Sequence, residues 1–135
     1  MPPIMDYKAL YIEATAFLHA SGGSYRDIDT ATYRDIIDAL FDGRYRVTRN
    51  NDGELTSFTT WWMIHEYDIE LVKNGGKPND VNAGSVVYIA DHAGVCSTTT
   101  MIKFIKSMTD WGCWHHRYKQ PSQFRQYKQR GASDV

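Results

Sequence analysis

The stretch VVYIADHAGVCSTTTMIKFIK, residues 86–106, decides how the rest of the chain is read. An apolar run, Val86 to Ala90, stops at Asp91, as a central strand covered on both faces would. A turn of small residues follows, and Met101, Ile102, Ile105 and, just beyond, Met108 then fall on one face of an amphipathic helix that Ser97 or Thr98 would cap. A strand that feeds a helix N-terminus is the outline of an anion cradle. This turn holds a single glycine, Gly94, together with Asp91, His92 and Cys96.

Upstream, DYKALYIEATAFLHASGG (6–23) places Leu10, Ala14, Phe17 and Leu18 at helical spacing, and Gly22-Gly23 ends the helix. TATYRDIIDALFDG (30–43) gives a second helix from Tyr33, Ile36, Ile37, Leu40 and Phe41, with Thr30 or Thr32 as cap and Gly43 as terminator. The period then changes. RYRVTRN alternates, NNDG is a turn signal and ELTSFTTWWMI is rich in β-branched and aromatic residues, so residues 44–64 read as a β-hairpin. In that hairpin Trp61 and Trp62 point to opposite faces. HEYDIELVKNGGKPNDVNAG (65–84) starts polar and helical and is mainly a connection. Downstream, CWHHRYK alternates as a strand, Pro121 breaks it, and SQFRQYKQRGA reads as a closing helix between Ser122 and Gly131. The order is α-α-β-β-β-α-β-α, an α/β (α+β) arrangement in one domain spanning residues 1–135.

Hydrophobic content of 42% and charged content of 23% are ordinary for a globular chain, and no apolar run is long enough to span a bilayer. The start, MPPIMDYK, lacks the pattern of a secretory signal, and two cysteines make no disulfide framework. The expected compartment is therefore a cytoplasm, the cell's own or a host's. The net charge of −1 conceals an asymmetry: residues 1–91 carry −6 and residues 92–135 carry +5. Arg117, Lys119, Arg125, Lys128 and Arg130 make the segment 117–130 basic, fit to meet an acidic protein partner, a phosphate-bearing cofactor or a nucleic acid, or simply to form a solvated face.

This element order, with the hairpin YRVTRNNDGELTSFTTWW and the ending PSQFRQYKQRGA, resembles the GCN5-related N-acetyltransferase (GNAT) fold. The ending is similar to that family's closing helix at Phe124, Tyr127, Lys128, Gly131 and Ala132. ALFDGRYRVTRNNDGELTSFTTWW and YIADHAGVCSTTTMIKFIK also resemble the divergent branch of RTX-toxin-activating lysine acyltransferases. Small divergent chains of this kind look like bacteriophage proteins, so the resemblance implies a phage source, in a host cytoplasm or a virion.

The resemblance implies an acyltransferase that moves an acetyl or acyl group from acetyl-CoA, or from another thioester such as an acyl carrier protein, to an amine on a protein lysine or N-terminus. It makes Ala93, Gly94, Val95, Cys96, Ser97 and Thr98 the cofactor-binding turn. Where the family's pyrophosphate loop carries Gln or Arg and a second small residue, this chain reads DHAGVCST. Tyr127 matches the general-acid tyrosine that protonates the departing thiolate. Read from chemistry alone, Asp91 and His92 are the candidate base, a carboxylate beside an imidazole at a strand end. Strand alternation would send the two to opposite sides unless the turn has begun. The alternative is that Asp91 caps the turn, His92 is exposed and Tyr127 packs beside Phe124. Cys96 at the helix start is either a nucleophile aided by His92 or a small buried thiol. Cys113, His115 and His116 fit no zinc spacing, so no metal is expected. Two rivals to the enzyme remain: a non-catalytic protein on the same scaffold that acts by protein–protein binding, as a virion component or a host-factor inhibitor, and a nucleic-acid-binding accessory protein.

Overall fold

A computed structural model describes residues 6–22, 25, 27–94, 98–116 and 123–129. Helix α1 spans Tyr7–Ser21 and starts where Asp6 accepts the Ala9 N–H at 3.0 Å. Helix α2 spans Thr30–Asp42. Its cap is Asp29, which accepts the Thr32 N–H at 2.7 Å, rather than Thr30 or Thr32. That bond holds the Asp29 carboxyl below its usual range, since backbone donation favours the charged form. Gly43 ends α2 at φ 76°, in the left-handed region expected of a terminating glycine.

Strands β1 (Tyr45–Arg49) and β2 (Leu55–Ile64) form the expected antiparallel hairpin, in register from Tyr45↔Thr60 to Arg49↔Leu55 with a bulge at Thr48/Arg49. The Asn50 carboxamide oxygen accepts the Asp52 and Glu54 N–H groups and shapes the turn. The connection holds a 3-10 turn, Glu66–Asp68, and a short helix α3, Ile69–Lys73, which buries Ile69 and Val72. Strand β3 spans Val86–Gly94, helix α4 spans Thr98–Lys106, and strands β4 and β5 span Trp111–His116 and Gln123–Lys128.

The five strands make one mixed sheet in the order β1-β2-β3-β4-β5, flanked by helices, an α+β architecture. β3 and β4 are parallel over Val87↔Gly112, Tyr88↔Cys113 and Ile89↔Trp114, joined through α4. β4 and β5 are antiparallel over six pairs. Among the described residues, no helix is long and apolar enough to cross a membrane.

Two compact units can be distinguished. The described residues of Met1–Thr60 and Asp91–Val95 form the first, built on Leu10, Ala14, Leu18, Ile36, Leu40, Phe58 and Ala93. Those of Trp61–Ala90 and Cys96–Val135 form the second, which has two apolar clusters. Val87, Ile89, Trp61 and Trp114 belong to one with Met101, Phe104 and Ile105 of α4; Val86, Tyr88, Ile64 and Cys113 belong to the other with Ile69 and Val72. Val86–Ile89 thus alternate between two cores, which is why that stretch reads as a continuous apolar run.

Two further expectations are corrected. The closing helix is not formed: Gln123–Lys128 is strand β5. Phe124 and Tyr127, three apart, looked like one helical face. In the strand they point to opposite faces, Phe124 packing with the α3-side cluster and Tyr127 with the α4-side cluster. Cross-strand pairs favour this: the Lys128 ammonium sits 4.1 Å from the Trp111 ring centre, and Phe124 meets His115 edge-on at 5.2 Å. Ser122 and Gly131, its expected bounds, lie outside the described residues. The second correction concerns β3, which runs past Asp91 to Gly94, so Asp91–Gly94 is strand and not turn.

A polar knot on strand β3

Because β3 continues, its side chains keep alternating. Asp91 and Ala93 face the layer of α1 and α2, where Ala93 joins the first unit's core. His92 and Gly94 face the other way. Thr60, two residues after the core residue Phe58, shares the face of Asp91; Thr59 shares that of His92.

Asp91 is 7% exposed, and both of its oxygens accept hydroxyl protons. The Tyr25 hydroxyl donates to Oδ1 at 3.2 Å and the Thr60 hydroxyl donates to Oδ2 at 2.9 Å. The Tyr25 oxygen in turn accepts the His92 backbone N–H at 3.0 Å. This chain of bonds ties the segment between α1 and α2 to strands β2 and β3, and it satisfies groups whose burial would otherwise be costly. Asp91 therefore has the geometry of a structural acceptor.

On the other face the Thr59 hydroxyl lies 2.7 Å from His92 Nδ1. A hydroxyl can donate or accept, so two tautomers are compatible. When Nδ1–H donates to Thr59, the Nε2 lone pair is basic; when Thr59 donates, Nε2 carries the proton. His92 is half-buried, and Arg46 on β1 stands opposite Thr59 in the hairpin register. Asp91 and His92 are thus turned to opposite faces and do not form a carboxylate–imidazole pair on one surface.

Of the expected cofactor turn, Ala93 and Gly94 lie in β3. Ala93 is 5% exposed in the core. Gly94 has φ 109°, and a Cβ there would lie 2.4 Å from the Thr56 carbonyl oxygen and 2.8 Å from the Ser57 Cα. Its missing side chain makes room for the backbone of β2. Val95, Cys96 and Ser97 lie outside the described residues, as does the side chain of Thr98, whose backbone begins α4. Tyr127 belongs to the second unit, in β5 opposite Gly112, with the Lys106 ammonium 5.4 Å from its ring centre. Of the basic segment, Arg117, Lys119 and Arg130 lie outside the described residues, and Arg125 donates to the Gln123 side chain at 3.1 Å.

Cys113 is fully buried and His115 Nε2–H donates to the Val72 carbonyl at 3.0 Å, so both serve the second unit's packing. Burial pushes the Cys113 thiol up to about 12. In a Cys96→Ser chain, iodoacetamide at pH 8 should leave Cys113 unlabelled until denaturant is added. The same shift makes folding weaken as pH rises from about 9 towards about 12, because the unfolded thiol ionises first.

Tyr25, Thr59 and Thr60 complete this knot, and none stands out in the sequence. Tyr25 is 66 residues from Asp91 and follows a Gly-Gly-Ser stretch. Thr60 left one signal: it falls in register with Phe58 on the inward face, where a hydroxyl needs a partner. A scan against protein-family models and a search of curated proteins found no match to this chain.

Proposed function

We propose that this chain is a GNAT-like acyltransferase that moves an acyl group from a thioester to an amine, a protein lysine or N-terminus. The observation that supports it is the parallel crossover, strands β3 and β4 joined through α4, which follows two helices and a hairpin in chain order. In this reading His92 is the base. Thr59 orients the ring through Nδ1–H, and Nε2 takes the proton of the attacking amine. Asp91 and Tyr25 hold the strand that carries His92, and Tyr127 packs rather than protonates. Ala93 and Gly94 take no part in donor binding. With peptides bearing a lysine or a free N-terminus, and acetyl-CoA or an acyl-loaded carrier protein as donor, mass spectrometry should detect acylated peptide. His92→Gln should slow it roughly a hundredfold at unchanged thermal stability. Transfer at the parental rate by His92→Gln removes the base from this reading.

A second reading is favoured by Asp91 and Gly94, whose roles are met inside the fold. It is a non-catalytic protein on the same scaffold that acts by protein–protein binding. Under it, neither donor yields product and His92→Gln leaves the biological effect intact.

A further inference from the structure

Trp114 is 3% exposed, yet its indole Nε1–H has no acceptor. Among the described residues it is the only buried side-chain N or O atom left in that state. A donor taken out of water and left unpaired weakens the fold, so its retention calls for a reason. Trp114 stands on β4 between Ile89 of β3 and Arg125 of β5. Its neighbours in the α4-side cluster include Trp61, Ile89, Met101, Phe104 and Ile105. A buried water needs several polar partners, and this lining supplies one donor, so a water does not account for the N–H. An aromatic face does not account for it either. The ring pair of this cluster is Trp61 with Phe104 at 5.3 Å, and among the described residues no ring pair includes Trp114.

An apolar, aromatic lining with one fixed donor is the composition of a small-molecule site. The ligand that matches it is an apolar chain with one acceptor, which is an acyl chain and its carbonyl oxygen. Met63, Met101 and Met108 belong to the cluster or pack on it, and their unbranched side chains re-pack readily around such a chain. The charges at the rim admit two sources for that carbonyl. Lys106 lies over the Tyr127 ring at 5.4 Å, and half-buried Arg125 donates to Gln123 at 3.1 Å. A thioester brings a neutral carbonyl and calls on neither cation. A fatty acid brings a carboxylate, whose burial needs a partner, and Arg125 shares the face of Trp114.

We propose that the α4-side cluster binds an apolar acyl chain whose carbonyl oxygen accepts the Trp114 Nε1–H. Where the chain arrives as a thioester, the proposal rests on the acyltransferase reading; binding is measured without transfer, so either can fail alone. The full ¹⁵N-labelled chain has four tryptophan indoles, of which Trp114 is assigned by triple-resonance spectra. It is titrated with octanoyl-N-acetylcysteamine, with octanoate and with S-octyl-N-acetylcysteamine, a thioether that lacks the acyl carbonyl. The expected result is a saturable downfield shift of the Trp114 indole proton with an acyl probe and none with the thioether, which binds roughly fivefold more weakly. A shift with the thioester that persists at high salt identifies a thioester ligand. A shift with octanoate that salt and Arg125→Gln both weaken identifies a fatty acid. An indole proton unmoved by both acyl probes, or moved equally by the thioether, overturns the proposal, as does parental affinity for the acyl probes in Trp114→Phe. The thioether comparison uses the parental chain, so it decides the matter whether or not Trp114→Phe folds. Amine acylation from an acetyl donor beside an unmoved indole removes this site and leaves the transferase; a shift without acylation does the reverse.

Discussion

Gly94→Ala is expected to lower folding stability by about 3 kcal/mol or more, with no donor or acceptor present. Two costs combine. The φ of 109° lies where an alanine is strained, and the added methyl would sit 2.4 Å from the Thr56 carbonyl oxygen. The obstacle is strand backbone, which cannot swing aside as the end of a side chain can. Gly53→Ala provides the control: its φ is 81°, but nothing lies within 4 Å of the added carbon. Its loss should be confined to the backbone strain, about 1 kcal/mol. Urea unfolding of both variants separates the steric part from the conformational part. Near-parental stability of Gly94→Ala would mean that Gly94 is not packed on β2 and that its glycine serves something outside the fold.

Asp91→Ala is expected to cost about 2–4 kcal/mol, because it takes this acceptor away from the buried Thr60 hydroxyl and the half-buried Tyr25 hydroxyl. Tyr25→Phe and Thr60→Val each remove one donor and should cost less, on the order of 1 kcal/mol. The three changes share one network, so their effects should not add: Thr60→Val made in the Asp91→Ala background should cost less than it does alone. Denaturation midpoints for the single and double variants check this. A loss of activity in Asp91→Ala at parental stability would return Asp91 to the catalytic role that its position beside His92 first implied.

What could be read from the residues follows from where one periodicity operates alone. α1, α2 and the hairpin each pack one face on a core, so Leu10, Ala14, Leu18, Ile36, Leu40 and Phe58 are visible as a pattern. β5 resembles a helix in sequence because the second unit has apolar clusters on both faces of its sheet, and a strand that serves both can place aromatics three apart like a helix. The end of β3 is hidden in the sequence because a carboxylate at Asp91 has the character of a strand stop. It continues because Tyr25 and Thr60 neutralise the cost of burying that carboxylate, and those partners are distant in sequence. His92 was found by its chemistry, but which surface it faces depended on whether the strand continued. The exposed half of α2's apolar stripe, Ile37 and Phe41, was indistinguishable from core by spacing alone.

The most direct measurement of the proposed activity is calorimetric titration of the purified chain with acetyl-CoA and with an acyl-loaded carrier protein. Saturable heat with one of them, retained in His92→Gln while amine acylation slows roughly a hundredfold, is the predicted result. No heat with either donor would contradict the acyltransferase reading and leave the protein-binding scaffold in its place.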